Sequence, residues 1–368
     1  MTVILAAGDI AVRRTDCGSM FAGCRDALQE ADLCIAQLEA PISERGARVP
    51  NARLAMRAPI ASAQALREAG FDLLSCAGNH CLDFGYEALA DTVRHLREAG
   101  LQACGVGETL PEALSPCCVT AGDARVALIA ACSILPEGYA AGADRPGCAP
   151  LRAFTLYEAI EPDQPGTPPR TRTFAHEGDL DALAQRVREA RTAADWVLVS
   201  LHWGVHMVPH VLADYQRAAA HALIDAGADA ILGHHPHLLK GIELYRGRPI
   251  FYSLGNFAIE QPHVWDPAIL RATSFQHLME LNPQWDLSRR YMLPENTRLT
   301  GLAKLVTGKD RSLQCRFLPG WIEEDSAPRL LRAGDPRFEG VRAFLEQSSR
   351  AVGFDTRISV LGDELAVS

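Results

Sequence analysis

Leu73-Leu74-Ser75-Cys76-Ala77-Gly78-Asn79-His80-Cys81-Leu82-Asp83-Phe84-Gly85 runs from an apolar stretch into a turn carrying Gly, Asn and His. An amphipathic segment follows directly, with Leu89, Val93 and Leu96 on one face of a helix spanning Tyr86 to Ala99. Strand, loop and helix in that order are the unit of an α/β protein. Val3 to Ala7, Cys34 to Leu38, Leu73 to Ala77, Val126 to Ala131, Trp196 to Leu201, Ala230 to Leu232 and Ile250 to Leu254 all read as strands. Leu180, Leu183 and Val187 mark a second packing helix.

With 368 residues, the chain is long for one domain and short for three. Hydrophobic residues make up 48% and charged ones 22%, so a folded body is expected throughout. A net charge of -9 with no block of Lys or Arg argues against a nucleic-acid or anionic-membrane surface and favours small-molecule chemistry. Met1 to Asp9 has no basic lead and too short an apolar run for a signal segment, and no stretch reaches 18 apolar residues. The eleven cysteines, odd in number and mostly inside apolar runs such as those of Cys34, Cys76 and Cys132, suit reduced thiols, and cytoplasm is the expected compartment. Cys117-Cys118 and the Cys76, Cys81 pair lack a second half with zinc-ribbon spacing, so a cysteine metal site is set aside.

Two regions break the rhythm. Leu135 to Gly178 is rich in Pro, Gly and Ala and includes Pro162-Asp163-Gln164-Pro165-Gly166-Thr167-Pro168-Pro169, which predicts a long loop insert, read as a substrate-facing lid. After Phe257 the pattern is irregular until Thr297, then gives a strand around Leu313 to Leu318 and a helix near Phe338 to Gln347. Residues 1–257 therefore read as the principal domain and 258–368 as an extension packing on it.

The chemistry-bearing residues fall at equivalent places. Asp9, Glu39, Asn79 with His80, His202, and His235 with His237 each follow a predicted strand. Ligands bind at the carboxyl ends of strands in α/β sheets, and parallel strands gather such residues despite their separation in sequence. Asp9 alone reads as a turn residue, Asn79-His80 as a surface turn and His235-Pro236-His237 as a solvated loop, but five oxygen- or imidazole-bearing groups at one sheet edge are hard to explain by packing. His95, His176, His221, His263 and His277 lie outside any motif and read as surface residues, and His210 stays open.

Gly8-Asp9, Leu38-Glu39, Gly78-Asn79-His80 with Asp83, Ser200-Leu201-His202-Trp203-Gly204, Gly233-His234-His235-Pro236-His237 and Tyr252-Ser253-Leu254-Gly255-Asn256-Phe257 occur in the order seen in the CapA family of poly-γ-glutamate capsule proteins. The chain resembles that family, and through it the calcineurin-like metallophosphoesterases. The resemblance implies a four-layer α/β/β/α sandwich and a pair of divalent transition-metal ions, Mn, Fe or Zn, at the strand ends. Asp9, Glu39, Asn79, His202, His235 and His237 are the implied ligands, with Glu39 the bridge. Mixed carboxylate, amide and imidazole donors suit these metals by their own chemistry. His80 is the implied acid for the leaving group, with Asp83 to orient it. Asn256 either lines the site and contacts substrate or closes a turn. The chain departs from the family at Gln37, where Asn is common, and at His206, where Glu is common. His206 is read as a substrate-contacting residue, with proton transfer, metal binding or plain loop exposure as the other readings.

Three functions remain open at this stage. The first is a dinuclear metal-dependent hydrolase acting on a small or peptide-like anionic substrate, through a phosphoester or a γ-glutamyl-type amide. The second keeps the metals for an elimination or dehydration in a biosynthetic pathway. The third is a non-catalytic accessory protein of polymer synthesis.

Overall fold

Successive residues of the strand Ala124–Cys132 belong to two different cores. Val126, Leu128, Ala130 and Cys132 join one, while Ala127, Ile129 and Ala131 join the other. Trp196 and Leu198 against Val197, Val199 and Leu201 repeat the division in Trp196–His202. Side chains of a strand alternate between its faces, so a strand apolar at every position is buried on both. Each such Leu, Ile or Val contributes roughly 1.5–3 kcal/mol by leaving water.

The computed structural model describes residues 1–52, 54–261, 266–283 and 285–368. Among them, the strands form two large sheets. The first holds ten strands in the path Ile358–Leu361, Glu364–Val367, Leu313–Ile322, Leu299–Thr307, Thr2–Ala11, Leu33–Leu38, Leu73–Ser75 and Gln102–Cys104, with Asn256–Ile259 beside Thr2–Ala11 and Pro328–Leu330 beside Leu313–Ile322. The second holds six, in the order Ile242–Tyr245, Arg248–Phe251, Ala230–His234, Trp196–His202, Ala124–Cys132 and Cys117–Ala121. Helices Gly85–Glu98 and Pro336–Ala351 pack on the first sheet, and Glu177–Arg191 and Asp214–Asp225 on the second. The result is the expected four-layer α/β/β/α sandwich. No helix among the described residues is long and apolar enough to cross a membrane.

The first strand is longer than expected. It runs from Thr2 to Ala11, so Asp9 lies inside it rather than beyond it. Residues 2–7 pair antiparallel with Leu299–Thr307, whereas Asp9 to Ala11 pair in parallel with Asn256–Ile259. The change of partner comes with a register shift between Ala6 and Asp9 against Leu33–Leu38, a bulge of the kind that re-aims a side chain. Gly8 makes the crossover possible, because a Cβ there would sit 2.0 Å from the Gly255 carbonyl oxygen. His202 is likewise the last residue of its strand, Leu73 to Ala77 shortens to Leu73–Ser75, and Ile250 to Leu254 shifts to Arg248–Phe251.

The segment read as one long loop contains a hairpin, Ala153–Glu158 paired with Arg170–Ala175, and the Pro-rich run is its connection. Its apolar residues Phe154, Leu156, Tyr157 and Phe174 are exposed, so no core pattern marked it. The hairpin docks on the outer helix Asp214–Asp225, where Tyr215 N donates to Thr173 Oγ1 at 3.1 Å. Earlier in the same insert Tyr139 turns inward. Beyond residue 257, Pro267–Arg271 and Thr273–Leu281 are helical where no element was expected. The tail then supplies Leu299–Thr307, Leu313–Ile322, Pro328–Leu330, Ile358–Leu361 and Glu364–Val367 to the first sheet.

Candidate metal centre

Two groups of three buried side chains, Glu39 with His202 and His235, and Asp9 with Glu39 and His237, each place one donor atom per residue within 4.8 Å of the others. Glu39 belongs to both. It follows the strand Leu33–Leu38 directly, and its backbone N–H donates to the Ile10 carbonyl at 2.8 Å, locking it beside the strand that carries Asp9. His202 Nε2 and His237 Nε2 lie 3.5 and 3.6 Å from the same Glu39 oxygen, Oε1. His237 Nδ1 lies 3.6 Å from Asp9 Oδ2, and the His235 N–H donates to that oxygen at 3.2 Å. Asn79 Oδ1 sits 2.6 Å from His202 Nε2.

The polar atoms here lack the partners that burial demands. Asp9 Oδ1, Glu39 Oε1, His202 Nδ1 and His235 Nδ1 are all buried without a hydrogen bond. Buried polar groups are normally paired, and an unpaired one costs about 1–3 kcal/mol. Electrostatics point the same way. Burial, then the Asp9 and Asp83 carboxylates, pushes Glu39 well above the usual carboxylate range. Burial also raises Asp9, yet its neighbours, the contact with His234 first, leave it below the usual carboxylate value. Burial lowers His202 to about 3, and lowers His235 and His237 as well, so the rings are neutral donors. Neutral imidazoles, carboxylates and orphaned lone pairs turned to one another are a donor set fit for divalent cations.

The backbone around these residues is strained. His235 and His237 have φ of 93° and 56°, and Met207 and His210 have 52° and 57°, a left-handed region that non-glycine residues seldom enter. Such strain persists only where the surroundings enforce it. Here Asn256 Oδ1 holds His237 Nδ1 at 2.7 Å, and Asn256 is in turn reached by the Tyr291 hydroxyl at 3.4 Å. Asn256 begins the strand Asn256–Ile259 and is wholly buried, so it is a site-lining residue rather than a turn.

His80 lies at the rim, its ring partly exposed, with Nδ1 2.7 Å from Asp83 Oδ2. Asp83 also accepts from Met56 N at 2.7 Å and from the Tyr139 hydroxyl at 3.0 Å. His206 stacks on His235 with centroids 5.1 Å apart and meets His237 edge-on at 5.2 Å. His206 is half-buried against these rings, and that burial lowers it to about 3. Gln37 is fully buried and ties Ser75 to Ala77, accepting from Ser75 Oγ at 2.7 Å and donating to the Ala77 carbonyl at 3.2 Å.

Three participants were not foreseen. His234, the first imidazole of Gly233-His234-His235-Pro236-His237, is buried with Nδ1 3.4 Å from Asp9 Oδ1. Its place in the motif was the available signal. Tyr139 and Tyr291 come from stretches without periodicity and gave none. Of the histidines set aside, His277 is exposed, His176 caps helix Glu177–Arg191, His221 stacks on Tyr245 and bonds Glu243, and His95 is half-buried beside Glu98. His210 bonds Ser348 Oγ at 2.8 Å, and His263 lies outside the described residues.

Residues 3–261 match the bacterial capsule synthesis protein PGA_cap family. A probable polyglutamine synthesis accessory protein of Mycobacterium tuberculosis is 34% identical over 229 residues, covering 61% of this chain and 55% of that protein. The PGA biosynthesis protein CapA of Bacillus subtilis is 28% identical over 245 residues, covering 66% of this chain and 57% of that protein. The chain thus spans a little over half the length of these relatives. A putative 5'-nucleotidase from Staphylococcus aureus, solved in complex with alpha-ketoglutarate, superposes with a TM-score of 0.42 at 14% identity, covering 94% of this chain and 58% of that one. By the match over residues 3–261, the chain belongs to the PGA_cap capsule synthesis family.

Proposed function

We propose that this protein is a metal-dependent hydrolase that directs water at a phosphoester or γ-glutamyl-type amide of an anionic substrate. The observation that carries the reading is Glu39, shared between two buried donor triads that together hold Asp9, His202, His235 and His237. Asp9, Glu39, His202, His235 and His237 would hold two divalent ions, which would supply Lewis acidity for activating water and polarising the bond to be cut. The remaining steps fall to the chain. Asn79 completes the donor set from the loop after Leu73–Ser75. His234 Nδ1 and His237 Nδ1 flank the Asp9 carboxylate at 3.4 and 3.6 Å, and Asn256 fixes the His237 ring. His80, oriented through Nδ1 by Asp83, leaves Nε2 to hand a proton to the departing group.

The test is metal analysis joined to a screen of phosphoesters and γ-glutamyl amides with metal-loaded protein. His80→Ala is expected to keep its metals and lose roughly 10²- to 10⁴-fold in turnover, less on substrates with good leaving groups. Loss of metal in that variant would place His80 among the ligands. Full activity in chelator would end the hydrolase reading. A second reading, an accessory role in polymer synthesis, is favoured by the names of the mycobacterial and Bacillus relatives. It predicts bound polymer without turnover.

A further inference from the structure

The two strands that bring Asp9 and Asn256 together run on past the metal centre and open into a cavity of about 510 Å3 lined by Arg13, Arg14, Ser19, Glu260, Arg290 and Asp325 among others. Its floor is neutralised from within. Arg14 Nε donates to Glu260 Oε1 at 2.8 Å, and its guanidinium also reaches Ser19 Oγ and the Asp325 carbonyl. The other oxygen, Glu260 Oε2, accepts from the backbone N–H groups of Arg13 and Arg14 at 2.7 and 2.8 Å. The Glu260 carboxylate is therefore fully engaged, and it fixes the chain at Arg13 in place.

Arg13 and Arg290 differ from Arg14. Among the described residues neither guanidinium makes a hydrogen bond or a close ion pair; Arg13 feels the Glu260 charge, and both residues are exposed where they line the cavity. Against the Glu260 and Asp325 carboxylates, Arg13, Arg14 and Arg290 leave one positive charge in excess along the lining. Guanidinium groups bind carboxylate and phosphate oxygens through paired N–H donors. Ser326, also in the lining, adds a hydroxyl donor, whereas the Ser19 hydroxyl already donates to the Asp16 carbonyl at 2.8 Å.

The cavity is tied to the centre at two points. Arg13 lies four residues beyond Asp9, no more than roughly 14 Å even if the chain were fully extended. Arg290 precedes Tyr291, whose hydroxyl lies 3.4 Å from the Asn256 amide that orients His237.

We propose that Arg13 and Arg290 form a distal oxoanion subsite, which takes a second carboxylate or phosphate of a substrate whose reacting group lies at the metal centre. The proposal rests on the hydrolase reading for the reacting end alone. The ligand class is an elongated molecule with two separated anionic groups. Glu260 acts as the positioning residue that sets Arg13 through its backbone.

Titration of metal-loaded protein with inorganic phosphate, followed by calorimetry, decides the point without turnover. Wild type is expected to bind phosphate at two classes of site, one lost in Asp9→Ala and the other in the Arg13→Ala/Arg290→Ala double variant, with the latter weakened by salt. The double variant should keep its metal content and fold. Phosphate stoichiometry and affinity equal to wild type in the double variant would overturn the subsite. The substrate arm compares esters with and without a second anionic group. The ratio of their KM values is expected to change about tenfold in the double variant, the scale of a hydrogen bond to a charged group. An unchanged ratio on esters that are turned over also overturns the proposal. Failure of every ester to react removes the hydrolase reading instead, and the phosphate titration still reports on Arg13 and Arg290.

Discussion

The Tyr139 hydroxyl donates to Asp83 Oδ1 at 3.0 Å, on the carboxylate whose other oxygen holds His80. Burial and the neighbouring Asp83 charge raise Tyr139 far above an ordinary phenol, so it remains a donor at any working pH. Tyr139→Phe leaves Asp83 Oδ1 buried and without that bond, at a cost of about 1.5–3 kcal/mol for a hydrogen bond to a charged group. The expected outcome is a lower urea midpoint, unchanged metal content, and a shifted alkaline limb in the pH–rate profile. A purely structural Tyr139 lowers the midpoint and leaves the shape of that profile alone.

Glu39 touches both donor triads, whereas Asp9 and His237 belong to one. Glu39→Gln is therefore expected to cost both ions by elemental analysis, and Asp9→Ala or His237→Ala to cost one more than the other. The wild-type Tm should fall on chelation, since ions that bind only the folded chain stabilise it, by about 2.7 kcal/mol for each at a hundredfold excess over Kd. Equal metal content in all three variants would contradict the shared-ligand geometry.

His206 is neutral near pH 7 because burial holds it at about 3, so the family's Glu at this place and the present imidazole differ by a full negative charge. His206→Glu sets a carboxylate against His235 and His237 and should raise KM for a phosphate- or carboxylate-bearing substrate well beyond His206→Gln. Gain of metal affinity in the Glu variant would assign position 206 to the ligand set instead.

Acid should unfold the metal-free protein early. His202, His206, His235 and His237 are all held below the ordinary imidazole value by burial. Below about pH 6.5 the unfolded chain takes up protons that the folded chain refuses, so stability falls as pH falls through that window toward 3. Chemical denaturation at pH 7, 6, 5 and 4 measures the slope, and His206→Gln should flatten it. A flat profile over that range would mean that the rings open to water.

The strands were legible because burial on both faces demands apolar residues at every position, and the places of Glu39, Asn79, His235 and His237 because they follow those strands. What the sequence concealed depends on contacts between distant segments. Asp9 lies within its strand because the partner changes at Gly8, and that change is set by Gly255, far along the chain. The hairpin Ala153–Glu158 with Arg170–Ala175 exposes its aromatic residues, so its composition imitates a loop. Tyr291 reaches Asn256 from a stretch without periodicity, and its neighbour Arg290 gives no local sign of the cavity it enters.

The strand Thr2–Ala11 has its antiparallel neighbour in Leu299–Thr307, nearly 300 residues downstream. A ribosome therefore releases the first strand long before its partner exists. Throughout that interval its unpaired edge and the apolar residues Ile4, Leu5 and Ile10 lack their final cover, the circumstance in which nascent chains associate wrongly. Refolding from denaturant should accordingly be slow and concentration-sensitive, and a nascent-chain chaperone should bind until Leu299–Thr307 has left the exit tunnel.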